Sequence, residues 1–175
     1  MTKLPSLCRG VLPHLLLFCS LTVYAQVNVV TQHYDQGRTG WYNRENQLTK
    51  SNIGLGSFGR IFSRPVDDQL YAQPLIVQGV DLGISGKKNI VYLATVNNSV
   101  YAYDADSPKV ALPYWQVNLT PPGQRPVTQQ DLTGACPGNF QSNIGIVGTP
   151  VIDTLSGTLL LVARSIQPAT TVFSE

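Results

Sequence analysis

A Pro-led strand occurs twice in this chain, and this internal repeat constrains the fold more than any other feature of the sequence. Residues 72–77 (AQPLIV) and 148–153 (GTPVID) both place an apolar pair directly after a proline. A second strand-like run follows each copy, at residues 91–95 and 159–163. Strand repeats spaced by several tens of residues are typical of arrays in which neighbouring units bury one another's faces.

The repeat extends to the stretch before each Pro-led strand. Residues 61–64 and 114–117 are both aromatic-bearing runs that precede a Pro-led copy. Two insertions, at residues 79–88 and 121–145, stretch the spacing between equivalent segments. We therefore expect one architecture to be used twice, with loops of different length.

Alternating apolar and polar residues, rich in Val, Ile, Tyr and Thr, predict an all-β chain. No stretch keeps helical periodicity over about ten residues. A single helical turn is expected at residues 48–53, with Thr49 or Ser51 as its cap. The candidate strands cover residues 27–31, 58–66, 71–78, 89–96, 99–104 and 114–119.

Asn97 and Asn98 separate two of these strands, residues 89–96 and 99–104. Asn tolerates the left-handed backbone that a type I′ turn needs at both central positions. The pair is therefore predicted to form the centre of a tight hairpin turn.

The first 25 residues are predicted to be a cleaved signal peptide, which implies a secreted or periplasmic protein. Lys3 and Arg9 give a basic start, residues 15–23 are apolar, and residues 23–25 (VYA) have the spacing of a cleavage site. Residues 13–14 (PH) interrupt the apolar run well below the roughly 20 residues of a membrane anchor. We expect no membrane span.

The rest of the chain has balanced charge. The sequence contains 12 Lys and Arg and 10 Asp and Glu, and Lys3 and Arg9 belong to the predicted signal peptide, which leaves ten of each sign. No basic stripe remains to attract nucleic acid or an anionic membrane surface. Nucleic acid is therefore excluded as an expected partner.

Residues 54–59 (GLGSFG) match the G-x-G-x-x-G pattern of dinucleotide-binding proteins by letter. That fingerprint requires a buried strand before it and a helix after it. The preceding residues are polar, and Pro65 in the alternating stretch that follows does not suit a helix interior. We interpret the run as a glycine turn, and residues 26–57 as a lead-in of loop and strand.

A resemblance to a known family rests on residues 100–104 (VYAYD) followed by Trp115. This pattern resembles the repeat of quinoprotein-like β-propellers, which are related to the pyrroloquinoline quinone (PQQ) dehydrogenases. Residues 38–40 (RTG), 71–75 (YAQPL) and 148–153 (GTPVID) extend the resemblance to exported bacterial proteins with such a propeller. The chain has Asn97-Asn98 and Ser107-Pro108 where the family has Asp-Gly and Thr-Gly, and these residues still favour turns.

The resemblance implies a β-propeller of four-stranded antiparallel blades that is incomplete here. Residues 58–175 would supply a closing strand at 58–66, one full blade at 71–119 and the start of a second. Closed propellers have about four to eight blades, so a longer parent chain would supply the rest. An unclosed ring would leave strand edges exposed and the chain poorly stable.

The same resemblance gives structural roles to repeat positions. Trp115 would pack its ring between neighbouring blades, and Asp104 would stabilise the turn after its strand. The structural repeat positions are Pro74, Tyr92, Asn97, Asn98, Tyr101, Asp104, Trp115 and Pro150.

Two functions follow as expectations. The first is a binding or scaffold module for a protein or carbohydrate ligand, since many relatives have lost the cofactor; no catalytic, cofactor-binding or metal-binding residue is assigned. The second is the N-terminal piece of a PQQ-dependent dehydrogenase whose catalytic residues lie outside this chain. That enzyme would need PQQ, calcium and an Asp base. The adjacent cysteine pair that covers the cofactor in true dehydrogenases does not occur in this sequence.

Other reactive residues have simpler interpretations. The pairs at residues 67–68 (DD) and 104–106 (DAD) lack the further oxygen ligands and glycine of a calcium loop, so we take them as turn carboxylates. His33, the one histidine after the signal peptide, is interpreted as a loop residue. Cys136 either forms a disulfide with a cysteine outside this chain or stays a free or buried thiol, and the residues leave both open.

Overall fold

A computed structural model describes residues 28–43, 45, 48–54, 56–132, 140 and 142–168. Cys136 and the predicted signal peptide lie outside these residues. In this part of the chain two short 3₁₀ turns, Gly83–Ser85 and Gln129–Asp131, are the only helices, and none is long or apolar enough to cross a membrane. The all-β prediction is confirmed at this level. The strands are β1 (Leu75–Asp81), β2 (Lys87–Ala94), β3 (Ser99–Asp104), β4 (Trp115–Asn118), β5 (Arg125–Pro126), β6 (Val151–Asp153), β7 (Thr158–Leu160) and β8 (Ser165–Ile166).

The strands β1 to β4 form one antiparallel sheet in chain order. The β2–β3 register pairs Val91 with Tyr103 and Ala94 with Val100, so the β-branched and aromatic residues of the sequence meet across the ladder. In β1 the register shifts between Val77 and Val80, beside Gly79 with φ of 65°. Such a bulge suits glycine, because this backbone conformation strains residues that carry a Cβ.

Alternation gives this sheet two faces with different partners. The face that carries Tyr101 and Tyr103, the tyrosine face, holds their rings nearly parallel with centroids 5.8 Å apart. The opposite face packs on the hairpin that β6 and β7 form, and we call it the hairpin face. According to the strand registers, the hairpin face of this sheet carries Leu75, Tyr92, Ala94, Val100, Ala102 and Trp115.

The stretch predicted as a closing strand, residues 58–66, forms no strand in the structure. It lies instead across the tyrosine face: the Tyr103 hydroxyl donates to the Pro65 carbonyl, and the Asp67 N–H donates to the Tyr101 hydroxyl at 3.1 Å. The Arg64 guanidinium lies 4.2 Å from the centroid of the Phe62 ring. Pro65 has no N–H to give to a ladder, and side-chain contacts hold the segment in its place.

Two further two-stranded sheets accompany the four-stranded sheet in the described residues: β5 pairs with β8, and β6 pairs with β7. The N-terminal segment ties the β6–β7 hairpin, the second sheet, to the first. Val29 and Ile76 exchange backbone hydrogen bonds of 2.8 and 2.9 Å, and the Val30 carbonyl accepts from the Ile152 N–H at 2.8 Å. The predicted strand at 27–31 is thus a single bridge. Val29, Leu75 and Ile152 form one buried cluster. Full burial of a side chain of this size contributes about 1.5–3 kcal/mol.

The hairpin turn at Asn97 and Asn98 differs from the predicted type I′ turn. Only Asn98 has a left-handed backbone, with φ of 60°. The Asn98 N–H donates to Thr95 O, and the Thr95 N–H donates to Ser99 O. The central turn residues are therefore Val96 and Asn97, and Asn98 takes the left-handed position that follows the turn in a three-residue hairpin loop.

A buried segment around Gly145 packs against this turn. Ile144 and Ile146 are both fully buried, and the Gly145 N–H donates to Val96 O at 2.8 Å. A Cβ on Gly145 would lie 2.1 Å from Asn98 Oδ1 and 2.5 Å from Val96 O. Only a residue without a side chain fits this approach.

Replacing Gly145 with alanine should destabilise the chain. The added methyl would displace a buried turn, and overpacking of this kind costs about 1–3 kcal/mol. The midpoint of urea unfolding, followed by circular dichroism, measures the loss. Gly148→Ala is the matched control, since no atom lies within 4 Å of a Cβ there. Equal midpoints for the two variants would refute the close approach.

Candidate binding cleft between the two sheets

Equivalent residues of the two repeat copies pair with equivalent partners in their strand ladders. Ile76 pairs with Val91 in the first sheet, and Ile152 pairs with Leu159 in the second. Pro74 and Pro150 each stand directly before the first strand of their copy, β1 and β6. Each copy therefore starts with the same hairpin in the same register.

Equivalent positions also touch. Gln73 and Thr149, which correspond in the repeat, are joined by a 2.9 Å hydrogen bond from the Gln73 N–H to Thr149 Oγ1. The two Pro-led strands therefore begin side by side, with the N-terminal segment across both.

The two sheets meet through opposite faces of their equivalent strands. Leu75 of β1 packs with Ile152 of β6, although the repeat equivalent of Leu75 is Val151. Val151 lies on the other side of the hairpin, away from this contact, and is 45% exposed. Leu160 and Val162 lie on that same side and are 59% and 73% exposed. The far side of the β6–β7 hairpin is thus an apolar surface that corresponds to the hairpin face of the first sheet.

A cleft of about 430 Å³ lies between the hairpin face and the β6–β7 hairpin. Tyr92 and Trp115 line it, with ring centroids 6.1 Å apart and planes tilted by 46°. Ile152 and Leu159 of the β6–β7 hairpin line the opposite wall of the cleft. Trp115 is 43% exposed, because the hairpin covers the start of the sheet and leaves the ring of β4 partly open.

The cleft is suited to packing rather than to acid–base chemistry. Its lining side chains, among the residues that the structure describes, carry no charge. Burial raises the pKa of Tyr92, which keeps that hydroxyl protonated. A charged ligand would lose hydration there without meeting a counter-charge. The arrangement therefore favours an apolar or neutral occupant.

Asn97, a repeat position, and its neighbours Thr95 and Ser99 form a polar corner around Asp67, a residue that the sequence predicted only as a turn carboxylate. The Asp67 carboxylate accepts from the side chains of Thr95 and Asn97 at 2.8 Å each, and from Ser99. Burial would raise the pKa of Asp67, but the hydrogen bonds from Ser99, Asn97 and Thr95 outweigh it and lower the pKa. The carboxylate thus serves as a structural acceptor.

Asp68 joins this corner to the long insertion. Its carboxylate accepts from Ser142 Oγ at 2.8 Å and from Asn143 Nδ2 at 2.9 Å. Within the described residues, no group of three or more His, Cys, Asp or Glu side chains is placed to hold a metal ion. The two aspartates are bound by neutral donors.

Asp104 closes the turn after β3. Its Oδ1 accepts from the N–H groups of Asp106 and Ser107 at 2.9 and 2.8 Å, and its Oδ2 accepts from the Tyr114 hydroxyl at 2.9 Å. Burial would raise the pKa of Asp104, but these hydrogen bonds outweigh it and the pKa is lowered. Asp104 is a buried, charged turn residue.

Neither protein-family models, nor curated proteins, nor solved structures give a match to this chain.

The lowered pKa of Asp104 predicts a loss of stability in acid. Since the folded pKa lies below the ordinary value of 3.8, the carboxylate contributes stability above that value. This contribution to stability is lost as the pH falls below the ordinary value and through the pKa of the folded state. In Asp104→Asn the urea midpoint should fall less between about pH 6 and about pH 3 than in the parent.

Tyr114→Phe is the control, because it removes one donor and keeps the charge of Asp104. Its midpoint should fall more steeply in acid than that of Asp104→Asn. The same pH dependence in the parent and in Asp104→Asn would contradict the prediction.

Proposed function

We propose that this chain is the N-terminal part of an exported PQQ-like β-propeller that acts as a binding or scaffold module. The observation that carries the proposal is the shared register of the two hairpins together with their contact through opposite faces. When repeat units contact each other through two different faces, each added unit leaves one of those faces uncovered, so a further unit can be added in the same direction.

The open faces support a longer array. Trp115 and Val117 of β4 are 43% and 42% exposed, and Leu160 of β7 is 59% exposed. Two further strands beside β7 would complete a four-stranded second sheet and lie over β4. In the proposal, a longer parent chain supplies those strands and the remaining blades, and closing the ring would cover the last open face.

The chemistry of the chain supports binding rather than catalysis. Asp67 and Asp104 are occupied by hydrogen bonds from neutral donors. The cleft next to Trp115 offers aromatic and aliphatic surface without a charged group among its described lining residues. We therefore propose a protein or a carbohydrate as the ligand of this module.

Extending the chain should protect strands that are open here. Residues 26–175 alone would be compared with the same residues followed by the rest of their gene, by hydrogen exchange and mass spectrometry. Amides of β4 and β7 should exchange at least about tenfold more slowly in the longer protein, because new strands cover them. The β1–β2 amides are the internal control. Unchanged exchange in β7 would overturn the proposed array.

The dehydrogenase alternative has its own test. The longer protein would be incubated with PQQ and calcium, freed of excess quinone by gel filtration, and examined by absorbance. A binding or scaffold module should elute without quinone absorbance. Stoichiometric retention of the quinone would favour the alternative.

A further inference from the structure

The loop of residues 31–43, termed the N-terminal loop, has a strained backbone outside the core. His33, Tyr34 and Arg38 have φ of 61°, 72° and 51°. Residues with a Cβ seldom adopt this left-handed conformation, and a bulky side chain such as tyrosine is an outlier there. Strain of this kind persists only where other interactions enforce it, and it clusters at sites that bind ligands.

Local hydrogen bonds enforce the shape of the loop. The Asp35 carboxylate accepts from the N–H and the hydroxyl of Thr39. The His33 carbonyl accepts from the N–H groups of Asp35 and Gly40 at 2.9 and 3.1 Å. The His33 N–H donates to Gln73 Oε1 at 3.0 Å, which anchors the loop where β1 begins. The loop is therefore preformed, and a ligand would bind without the cost of ordering it.

The preformed loop presents aromatic rings and one arginine to solvent. Trp41 is 71% exposed and Tyr34 is 42% exposed. The rings of Tyr34 and Tyr42 lie 6.3 Å apart at 23°, so they form a near-parallel pair. Arg38 is exposed and makes no ion pair with the described residues. Asp35 in the same loop keeps its negative charge, since the hydrogen bonds from Thr39 lower its pKa, and both of its oxygens are occupied by those bonds.

We propose that the N-terminal loop binds an acidic saccharide, a chain of sugar rings that bear carboxylates. This inference rests on the proposed function as a binding module and names its ligand class. The C–H faces of a sugar ring pack on exposed aromatic rings, and a carboxylate pairs with the guanidinium of Arg38 through two parallel hydrogen bonds. Arg38 and Trp41 lie within about 11 Å of each other along the chain, a span that neighbouring sugar rings can bridge.

The size of the loop favours a saccharide over a folded protein partner. A stable protein interface buries roughly 800 Å² on each partner. The exposed side chains of one short loop offer far less, whereas a sugar chain needs only one or two aromatic rings and a charge. Arg38 and Asp35 balance the charge of the described loop, but the guanidinium of Arg38 makes no ion pair with the described residues, so an anionic group on the ligand has a partner there that a neutral ligand would leave unused.

Calorimetric titration of the longer protein, residues 26–175 followed by the rest of their gene, with oligogalacturonate tests the proposal. The fully methyl-esterified oligomer is the matched ligand, because it keeps the rings and loses the charge. The free acid should bind, and the ester should bind at least about tenfold more weakly, since a hydrogen-bonded charge is lost. Tryptophan fluorescence should change on binding, and the change should be lost in Trp41→Ala, which keeps Trp115.

Variants separate the two contacts. Arg38→Gln should weaken binding of the acid about tenfold or more and leave the weak binding of the ester unchanged. Trp41→Ala should weaken both ligands. Arg60→Gln changes another exposed arginine outside the loop and should bind like the parent.

The proposal is overturned if neither oligomer binds, if acid and ester bind equally, or if Arg38→Gln binds the acid like the parent. Binding of a protein alone would also overturn it. Hydrogen-exchange protection of β7 in the longer protein is a separate measurement, so the array can stand when the saccharide proposal fails.

Discussion

The contact between the two Pro-led strands is the interaction on which the rest of this structure depends. Val29 and Val30 hydrogen-bond to Ile76 and Ile152, one in each sheet, and the side chains of Leu75 and Ile152 pack beside them. Two short hairpins expose their apolar faces when apart, and a two-stranded hairpin alone is marginal in water. Their mutual burial makes β6 and β7 part of the fold.

A second constraint acts at the other end of the hairpins, where polar groups are buried. Thr95, Asn98 and Ser99 are almost fully buried at the β2–β3 turn. Burial of such groups is costly unless each finds a partner, and Asp67 and the Arg164 carbonyl accept from the Thr95 and Ser99 hydroxyls and from Asn98 Nδ2. Asn98 Oδ1 is buried without a hydrogen-bond partner among the described residues. Because Gly145 lies directly against this turn and Asp68 accepts from Ser142 and Asn143, the described end of the insertion, residues 142–145, is held by the same polar corner.

Local pattern predicted much of this fold. The alternation predicted β3 at its observed bounds and β2 and β4 within two residues at each end, because each strand pairs with its neighbour in sequence. The Pro-led repeat located β1 and the β6–β7 hairpin, but β1 begins four residues later and ends three residues later than the predicted strand at 71–78. Two expectations failed for non-local reasons. Residues 58–66 alternate like a strand, yet the Tyr103 hydroxyl donates to the Pro65 carbonyl, and the Tyr101 hydroxyl accepts from the next residue, Asp67. Asn97 and Asn98 look like a two-residue turn, but β2 ends at Ala94, two residues before the predicted end of the strand at Val96.

The candidate sites were harder to predict because the residues that mark the repeat are used by the architecture itself. Asp104 and Tyr101 resemble catalytic residue types, but their polar atoms are occupied by the next turn and by Asp67. The exposed rings of Tyr34 and Trp41 lie instead on a loop outside the repeat, whose strained backbone the core does not require. If the chain is a binding module as we propose, its ligand would be selected by such loop residues rather than by the repeat positions.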